Sequence, residues 1–262
     1  MKILFIGDIM GNPGRKVVKN LLPEILKETE IDFVIANGEN IAGGKGVTAE
    51  VAEEMFDHGV DVLTGGNHIW QNRAGVRFLE EDERVLRPAN YPDEEEIPGR
   101  GAGIFRAASG MKIGVVNLQG RVFMPPLDCP FRKVRKEVDR LRRETTIILV
   151  DFHAEATSEK IAMGWFLDGA VTAVVGTHTH VQTADEKILP GGTAFITDVG
   201  MSGPHDGVIG VRTDIVLESM LKRLPVRHKL ASGDLQLNSV IIEFNPDTGK
   251  ASSIERRSRR ID

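Results

Sequence analysis

The residues of this chain that could do chemistry stand directly after runs of apolar residues. One run, VTAVVG, ends at Gly176 and is followed at once by His178 and His180. A run of β-branched residues predicts a buried strand, and the glycine suits a sharp turn of the backbone out of it. Two histidines at this spacing can converge on a small bound group, although a single histidine in such a place is more often structural.

Four further apolar runs end in the same way, in carboxylate, amide or imidazole side chains. Asp8 follows the run KILFIG, and Glu39 and Asn40 follow DFVIANG. Asn67 and His68 follow DVLTGG, and Asp151 and His153 follow TIILV. Ligands of open α/β sheets bind beyond the carboxyl ends of parallel strands. We therefore expect five strand ends of one sheet to bring these side chains into one crevice. Each could be a polar strand cap by itself, but five coincident ends favour a site.

Seven of these side chains are candidate metal ligands: Asp8, Glu39, Asn40, Asn67, His153, His178 and His180. One transition-metal ion takes about four to six ligands, so it would not use all seven. Two ions about 3.5–4 Å apart, bridged by one carboxylate, would use them. Oxygen and imidazole donors without a thiolate favour Fe, Mn or Zn, and they do not choose among the three.

His68 adjoins a candidate ligand and should lie at the rim of such a site. A histidine near two cations is suited to protonate a leaving oxygen or to stabilise developing negative charge. The alternative is a histidine that only forms hydrogen bonds to the ligands. Asp151 and Glu155 flank His153, and they either orient it or are ordinary polar residues.

The elements that must position these residues alternate along the chain. Strands are predicted at 2–7, 31–36, 60–63, 103–107, 112–118, 146–150, 171–176, 193–197 and 238–244, and helices at 13–26, 48–58, 131–143, 158–167 and 214–224. Pro23 predicts a kink or an early end of the first helix. The alternation indicates an α/β architecture, and the later hairpins indicate mixed sheets.

Composition favours a soluble protein of the cytoplasm. The 262 residues suit a single domain over 1–262, and 41% hydrophobic and 27% charged residues are ordinary for globular proteins. Cys129 is the only cysteine, which excludes an internal disulfide and suits a reducing compartment. Asp8 interrupts the N-terminus too early for a signal peptide, and no apolar run approaches the roughly 20 residues that span a bilayer.

Three other segments leave alternatives open. Basic residues cluster at 132–143 and 256–260, but no aromatic residues are interleaved with them. A solvated face or a subunit contact is therefore expected rather than a nucleic-acid surface, with RNA kept as an open alternative. The glycine-rich segment 198–210, which contains His205, is either a substrate wall or a turn-rich connection. Residues 90–100 are expected to form a surface loop.

Taken in order, these motifs resemble the calcineurin-like metallophosphoesterases. The family pattern D-x-H, G-D, G-N-H-D/E, H and G-H-x-H matches Asp8, 38–40, 66–68, His153 and 176–180 over nearly the whole chain. Three positions depart from it: Met10 replaces a histidine, Glu39 replaces the bridging aspartate, and Ile69 replaces an acidic residue that usually partners the histidine before it. These departures resemble the small bacterial YmdB-like branch of the family.

The resemblance implies a fold and a chemistry. The fold would be a four-layer α/β/β/α sandwich with two mixed sheets. The activity would be that of a di-iron phosphodiesterase, a homo-oligomer that hydrolyses 2′,3′-cyclic nucleotides, with 3′,5′-cyclic nucleotides as a further candidate class. A hydroxide between the two metals would attack phosphorus, and His68 would protonate the departing ribose oxygen. The implied ligands are Asp8, Glu39, Asn40 and His180 for one metal, and Glu39, Asn67, His153 and His178 for the other.

Two other functions stay open at this stage. The same metals would serve a phosphomonoesterase or a nuclease. A regulatory module that holds a nucleotide as a signal, with incidental turnover, is the alternative outside enzymes.

Overall fold

The computed structural model describes residues 1–92 and 95–261, so the predicted loop at 90–100 lies partly outside the described residues. Its strands are β1 Lys2–Ile6, β2 Asp8–Ile9, β3 Phe33–Asn37, β4 Val62–Thr64, β5 Val85–Leu86, β6 Ala102–Arg106, β7 Lys112–Gln119, β8 Ile148–His153, β9 Ala173–Thr177, β10 Lys187–Ile188, β11 Ala194–Ile196, β12 Met201–Pro204, β13 Leu235–Phe244 and β14 Ala251–Arg260. Its helices are α1 Gly11–Glu28, α2 Ala49–Asp57, α3 Arg73–Glu81, α4 Pro130–Leu141, α5 Thr157–Phe166 and α6 Thr213–Lys222.

The strands form two mixed sheets. The first has the order β2-β12-β13-β1-β3-β4-β5, with β14 also paired to β13. Strands β1, β3, β4 and β5 are parallel, and β13 runs antiparallel to β1. The second sheet has the order β10-β11-β9-β8-β7-β6, in which β7, β8, β9 and β11 are parallel and the two edge strands are antiparallel.

The two sheets pack face to face, and helices cover their outer faces. In β1, Ile3 and Phe5 point into the core between the sheets, whereas Leu4 and Ile6 point to the opposite face, as the two-residue period of a strand requires. Helices α1 and α2 pack on that opposite face. Helices α4 and α5 cover the outer face of the second sheet. The predicted four-layer α/β/β/α sandwich is therefore confirmed.

The prediction that five strand ends lie in one sheet is wrong. Strands β1, β3 and β4 belong to the first sheet, whereas β8 and β9 belong to the second. The five ends still meet, because polar side chains bridge the sheets: the Asn37 amide donates to the Asp151 carboxylate over 2.9 Å. A buried apolar run has the same composition in either sheet, so the runs did not reveal which sheet each strand joins.

Several elements differ in detail from their predictions. Helix α1 continues through Pro23 to Glu28, so the predicted early end is wrong. Strand β8 extends to His153, and the basic cluster at 256–260 lies in strand β14. Gly176 remains inside β9, where a Cβ atom would lie 1.8 Å from the Thr197 carbonyl oxygen. The glycine therefore provides space for a neighbouring strand, and the turn comes later in the chain.

Two helices have other distinctive features. Helix α3 is strongly amphipathic but was not predicted, and the Asn72 side chain caps its start. Helix α6 buries none of its residues. Among the helices that the structure describes, none combines the length and the apolar character that crossing a membrane requires.

Candidate metal centre

The candidate ligands lie where the strands of both sheets end. The first sheet supplies Asp8 from β2, Glu39 and Asn40 from the loop after β3, and Asn67 from the loop after β4. The second sheet supplies His153 as the last residue of β8, and His178 and His180 from the turn after β9. Glu39, Asp8 and His153 are buried, so their contacts with one another are shielded from water.

His153 lies at the centre of a first group of ligand atoms. Its Nε2 atom is 3.1 Å from Glu39 Oε2, 3.1 Å from Asn67 Oδ1 and 3.1 Å from His178 Nδ1. Neighbouring ligands bound about 2.0–2.2 Å from one ion lie about 2.8–3.1 Å apart in octahedral geometry and about 3.3–3.6 Å apart in tetrahedral geometry. The spacing of these atoms is therefore that of a metal's ligand shell.

Asp8, Glu39 and His180 form a second group, whose ligand atoms all lie within 4.8 Å of one another. His180 Nε2 is 3.7 Å from Asp8 Oδ1. That carboxylate oxygen is buried and has no hydrogen-bond partner in the part of the chain that the structure describes. An orphaned buried carboxylate oxygen is costly unless something binds it. Glu39 belongs to both groups, which is the arrangement that a bridging ligand needs.

Asn40 and His68 lie beside the shared glutamate. The Asn40 amide donates to Glu39 Oε1 over 2.9 Å, and its Oδ1 atom lies 2.9 Å from His68 Nδ1. His68 is at the rim, as predicted, with 28% of its side chain exposed. Ile69 points into the core instead of towards this histidine. His68 nevertheless has an acidic neighbour, because its Nδ1 atom lies 3.3 Å from Glu39 Oε1.

The electrostatics of the group suit a cation. Burial raises the pKa of Asp8 and lowers the pKa of His178 to about 3, an effect that the neighbouring His153 increases. Burial opposes charge on His153 as well, but the carboxylates of Glu39 and Asp8 raise its pKa to about 9. The pKa of Glu39 stays well below its usual value despite burial, because His153 and His68 stabilise the carboxylate. The buried carboxylates therefore stabilise a positive charge placed beside them.

Gly66 makes room for these ligands. A Cβ atom at this position would lie 2.3 Å from Glu39 Oε2 and 2.4 Å from His153 Nε2. No side chain fits there without displacing both residues. The glycine before Asn67 is thus required by the close approach of the two sheets at the site.

A cavity of about 940 Å³ opens beside these residues. Asn40, His68 and His180 line it, together with residues from 43–45, 209–211 and 226–230. Ile209 belongs to the segment predicted as a substrate wall or a connection, and its carbonyl oxygen lies 3.1 Å from His180 Nδ1. His205 of the same segment does not line the cavity, and its Nε2 atom lies 3.1 Å from the Met201 carbonyl oxygen.

Comparison with known proteins shows the family. The YmdB-like protein family matches residues 4–257. The chain belongs to the YmdB-like family.

Its relatives are similar over nearly their full lengths. A 2′,3′-cyclic-nucleotide 2′-phosphodiesterase of Bacillus subtilis is 47% identical over 98% of this chain and 96% of its own. A crystal structure described as a novel phosphatase of Mycoplasma pneumoniae has a TM-score of 0.92 at 33% identity, covering 99% of this chain and 93% of its own. A hypothetical protein from Thermus thermophilus has a TM-score of 0.90 at 40% identity, covering 99% of both chains.

Sequence reasoning missed a buried ion pair beneath the histidines of this YmdB-like chain. Lys160 Nζ lies 2.7 Å from Asp198 Oδ2, and the two side chains are 1% and 0% exposed. Asp198 also accepts hydrogen bonds from the backbone N–H and the hydroxyl of Thr179. Thr179 separates His178 and His180, which both adopt left-handed backbone conformations with φ of 98° and 65°. The ion pair thus holds a strained turn in place.

A second support of the YmdB-like site is a pair of hydrogen bonds that connects His153 to Asp151 through Thr177. His153 Nδ1 lies 2.9 Å from the Thr177 hydroxyl, which donates to Asp151 Oδ1 over 2.7 Å. Asp151 therefore orients His153 through Thr177, and burial raises the pKa of Asp151 to about 6. Glu155, the other flanking acid, contacts His178 Nε2 at 3.1 Å.

Proposed function

We propose that this chain is a binuclear-metal phosphodiesterase that hydrolyses 2′,3′-cyclic nucleotides. The observation that carries the proposal is the shared position of Glu39 in two groups of ligand atoms. The class of enzyme, a phosphoric diester hydrolase, is that of the Bacillus subtilis relative at 47% identity. The same chemistry makes 3′,5′-cyclic nucleotides a second substrate class to test.

The proposed ligands follow the two groups. Asp8, Glu39, Asn40 and His180 would hold one ion, and Glu39, Asn67, His153 and His178 would hold the other. Two bound cations supply acidification of the attacking water and neutralisation of charge on the phosphate oxygens. Iron is the proposed metal, with manganese and zinc as alternatives, since the donors are oxygen and imidazole without thiolate.

His68 is the proposed proton donor to the leaving oxygen. Its Nδ1 atom is engaged by Asn40 and Glu39, so Nε2 is the nitrogen available to the substrate. His68 lines the cavity, where a bound nucleotide would place its ribose oxygen within reach. Holding Nδ1 between two side chains also fixes the plane of the ring.

We extend this proposal to the domain organisation, the location and the assembly of the chain. A single domain over 1–262, a location in the cytoplasm and assembly as a homo-oligomer are all expected of the chain. Nucleic acid is not an expected partner beyond the open alternative of RNA.

The test is a substrate screen on the purified protein at fixed metal content. We expect turnover of 2′,3′-cyclic nucleotides and of bis-p-nitrophenyl phosphate. His68→Ala should lower kcat on the cyclic nucleotide by about 10²–10⁴-fold, the range for a lost general acid, while metal content stays at the wild-type level. His58→Ala, at the C-terminus of α2, is the matched control and should leave kcat unchanged.

A second candidate is a phosphomonoesterase. It is favoured by the Mycoplasma pneumoniae structure, which is described as a novel phosphatase. Turnover of p-nitrophenyl phosphate without turnover of any diester or cyclic ester would contradict the diesterase proposal and support this candidate.

A further inference from the structure

The charged side chains that line the cavity beside the metal centre are all basic. Lys45, Arg227 and Lys229 line it, and none of the described residues lining it is an aspartate or a glutamate. This contrasts with the whole chain, which has 38 acidic and 33 basic residues. Lys45 and Arg227 are exposed, and in the described ranges 1–92 and 95–261 their side chains form no ion pair.

The loop that carries Lys45 is tied to the metal centre. It follows Asn40 directly, and the Gly44 N–H donates to the Asn40 carbonyl oxygen over 3.1 Å. Gly44 and Gly46 have φ of 95° and 72°, conformations that glycine adopts without strain. Two glycines thus display Lys45 five residues beyond a proposed ligand.

The segment that carries Arg227 is held against the same loop. Leu230 packs on the backbone, because a Cβ atom at Gly11 would lie 2.4 Å from Leu230 Cδ1, and one at Gly44 would lie 3.1 Å from Cδ2. The Arg212 N–H donates to the Lys229 carbonyl oxygen over 3.0 Å. Lys45 and Arg227 therefore line one cavity on segments that contact each other.

The charge in the cavity exceeds what a cyclic phosphate needs. A 2′,3′-cyclic phosphate carries one negative charge, which the metal centre would neutralise. The apolar wall of Met10, Val211 and Leu230 suits the faces of a ribose or a base. Lys45 and Arg227 then have no anion to bind unless the substrate carries a second one.

We infer that the cavity binds a nucleoside 2′,3′-cyclic phosphate that bears a second phosphoryl group on its 5′ oxygen, with Lys45 and Arg227 as the residues that select it. This rests on the proposed phosphodiesterase function. Such a group occurs in two sources: a free 5′-phosphorylated nucleotide and the 3′ end of an RNA, where the 5′ oxygen carries the diester to the preceding nucleotide. A cavity of about 940 Å³ lies at the upper end of the ~300–1,000 Å³ of small-molecule sites, so it has room for more than the cyclic phosphate.

The experiment compares kcat/KM for three substrates on the same metal-loaded protein. They are adenosine 2′,3′-cyclic phosphate, its 5′-phosphorylated form, and an adenylyl dinucleotide that ends in a 2′,3′-cyclic phosphate. We expect at least one of the two 5′-substituted substrates to be favoured by about tenfold at low salt, since an exposed ion pair gives roughly threefold and two act together. The preference should fall as salt rises. The better of the two identifies the source.

Variants of Lys45 and Arg227 test whether these two side chains cause the substrate preference. The relevant ratio is kcat/KM for the favoured 5′-substituted substrate divided by kcat/KM for adenosine 2′,3′-cyclic phosphate. In Lys45→Ala/Arg227→Ala this ratio should fall to about one. The ratio does not depend on how much of the protein is active. Lys16→Ala/Lys19→Ala, on the exposed side of α1, removes two positive charges elsewhere and should keep the wild-type ratio. For wild-type protein, a ratio of one with turnover of all three substrates would overturn the inference alone. A ratio unchanged in Lys45→Ala/Arg227→Ala would overturn the assignment to these residues. No turnover of any of the three would contradict the proposed function itself.

Discussion

Replacing Lys160 by methionine should destabilise the protein and weaken its metal centre. The ammonium group lies 2.7 Å from Asp198 Oδ2, and both side chains are almost fully buried. Removing one member of a buried pair leaves an uncompensated charge, which costs about 3–5 kcal/mol. Asp198 would keep the donors Thr179 and Gly200. We therefore expect a loss at the lower end, about 3 kcal/mol of unfolding free energy.

The assay is urea unfolding of the metal-free protein. Lys160→Met/Asp198→Asn removes both charges and should recover at least half of the loss, since no unpaired charge is left. Lys222→Met removes an exposed lysine paired with Glu218 and should cost less than about 1 kcal/mol. A loss below about 1 kcal/mol for Lys160→Met would refute the reasoning, because the pair would then contribute no more than a surface pair.

The same substitution has a second readout at the metal centre. Thr179 donates to Asp198 and lies between His178 and His180. Loss of support behind metal ligands typically lowers metal affinity by about 10–100-fold. Chelator competition under conditions where Lys160→Met remains folded should show this fall. Wild-type affinity in the folded variant would show that the ion pair stabilises the fold without holding the turn.

Three further predictions follow from individual contacts. Gly66→Ala should abolish metal loading, measured as metal per chain, because the added Cβ atom would overlap Glu39 and His153. Full loading of this variant would show that the cluster is not the metal site. Thr177→Val should lower metal affinity about 10–100-fold in chelator competition, whereas Thr177→Ser should retain it, because the hydroxyl links His153 to Asp151. Equal affinities of the two variants would exclude that link. Burial alone would raise the pKa of Asp185, but hydrogen bonds from two threonines hold it below 3.8. This carboxylate therefore stabilises the fold above pH 3.8 and loses that effect as pH falls through its folded pKa. The urea midpoint of Asp185→Asn should be lower than that of the wild type at pH 7 and approach it in acid, and a constant difference would contradict this.

The sequence contained enough to predict the layers and to name the polar side chains that the structure brings together at the strand ends. Apolar runs that end in ligand-type residues are local features, and β1, β3, β4, β8 and β9 all coincide with predicted strands within a few residues. The partner of each strand is not a local feature. Assigning all five to one sheet failed for this reason, since a run buried on both faces fits the centre of either sheet.

The buried ion pair behind the site and the partner segment of Lys45 were beyond sequence reasoning for a related reason. Lys160 and Asp198 are 38 positions apart, and a lysine on a predicted helix is normally exposed. Lys45 and Arg227 are separated by most of the chain, and their common cavity depends on the packing of Leu230 against two glycines. The glycines at 43, 44 and 46 indicate a loop that is either flexible or close to a ligand, and they do not identify the segment that packs against it.

Anomalous diffraction from crystals of protein purified without added metal is the most direct test of the central claim. Data collected at the iron, manganese and zinc edges should show two peaks about 3.5–4 Å apart, one on each side of the Glu39 carboxylate. The peaks should be strongest at the iron edge. A single peak, or two peaks of which only one contacts Glu39, would contradict a binuclear centre bridged by this residue.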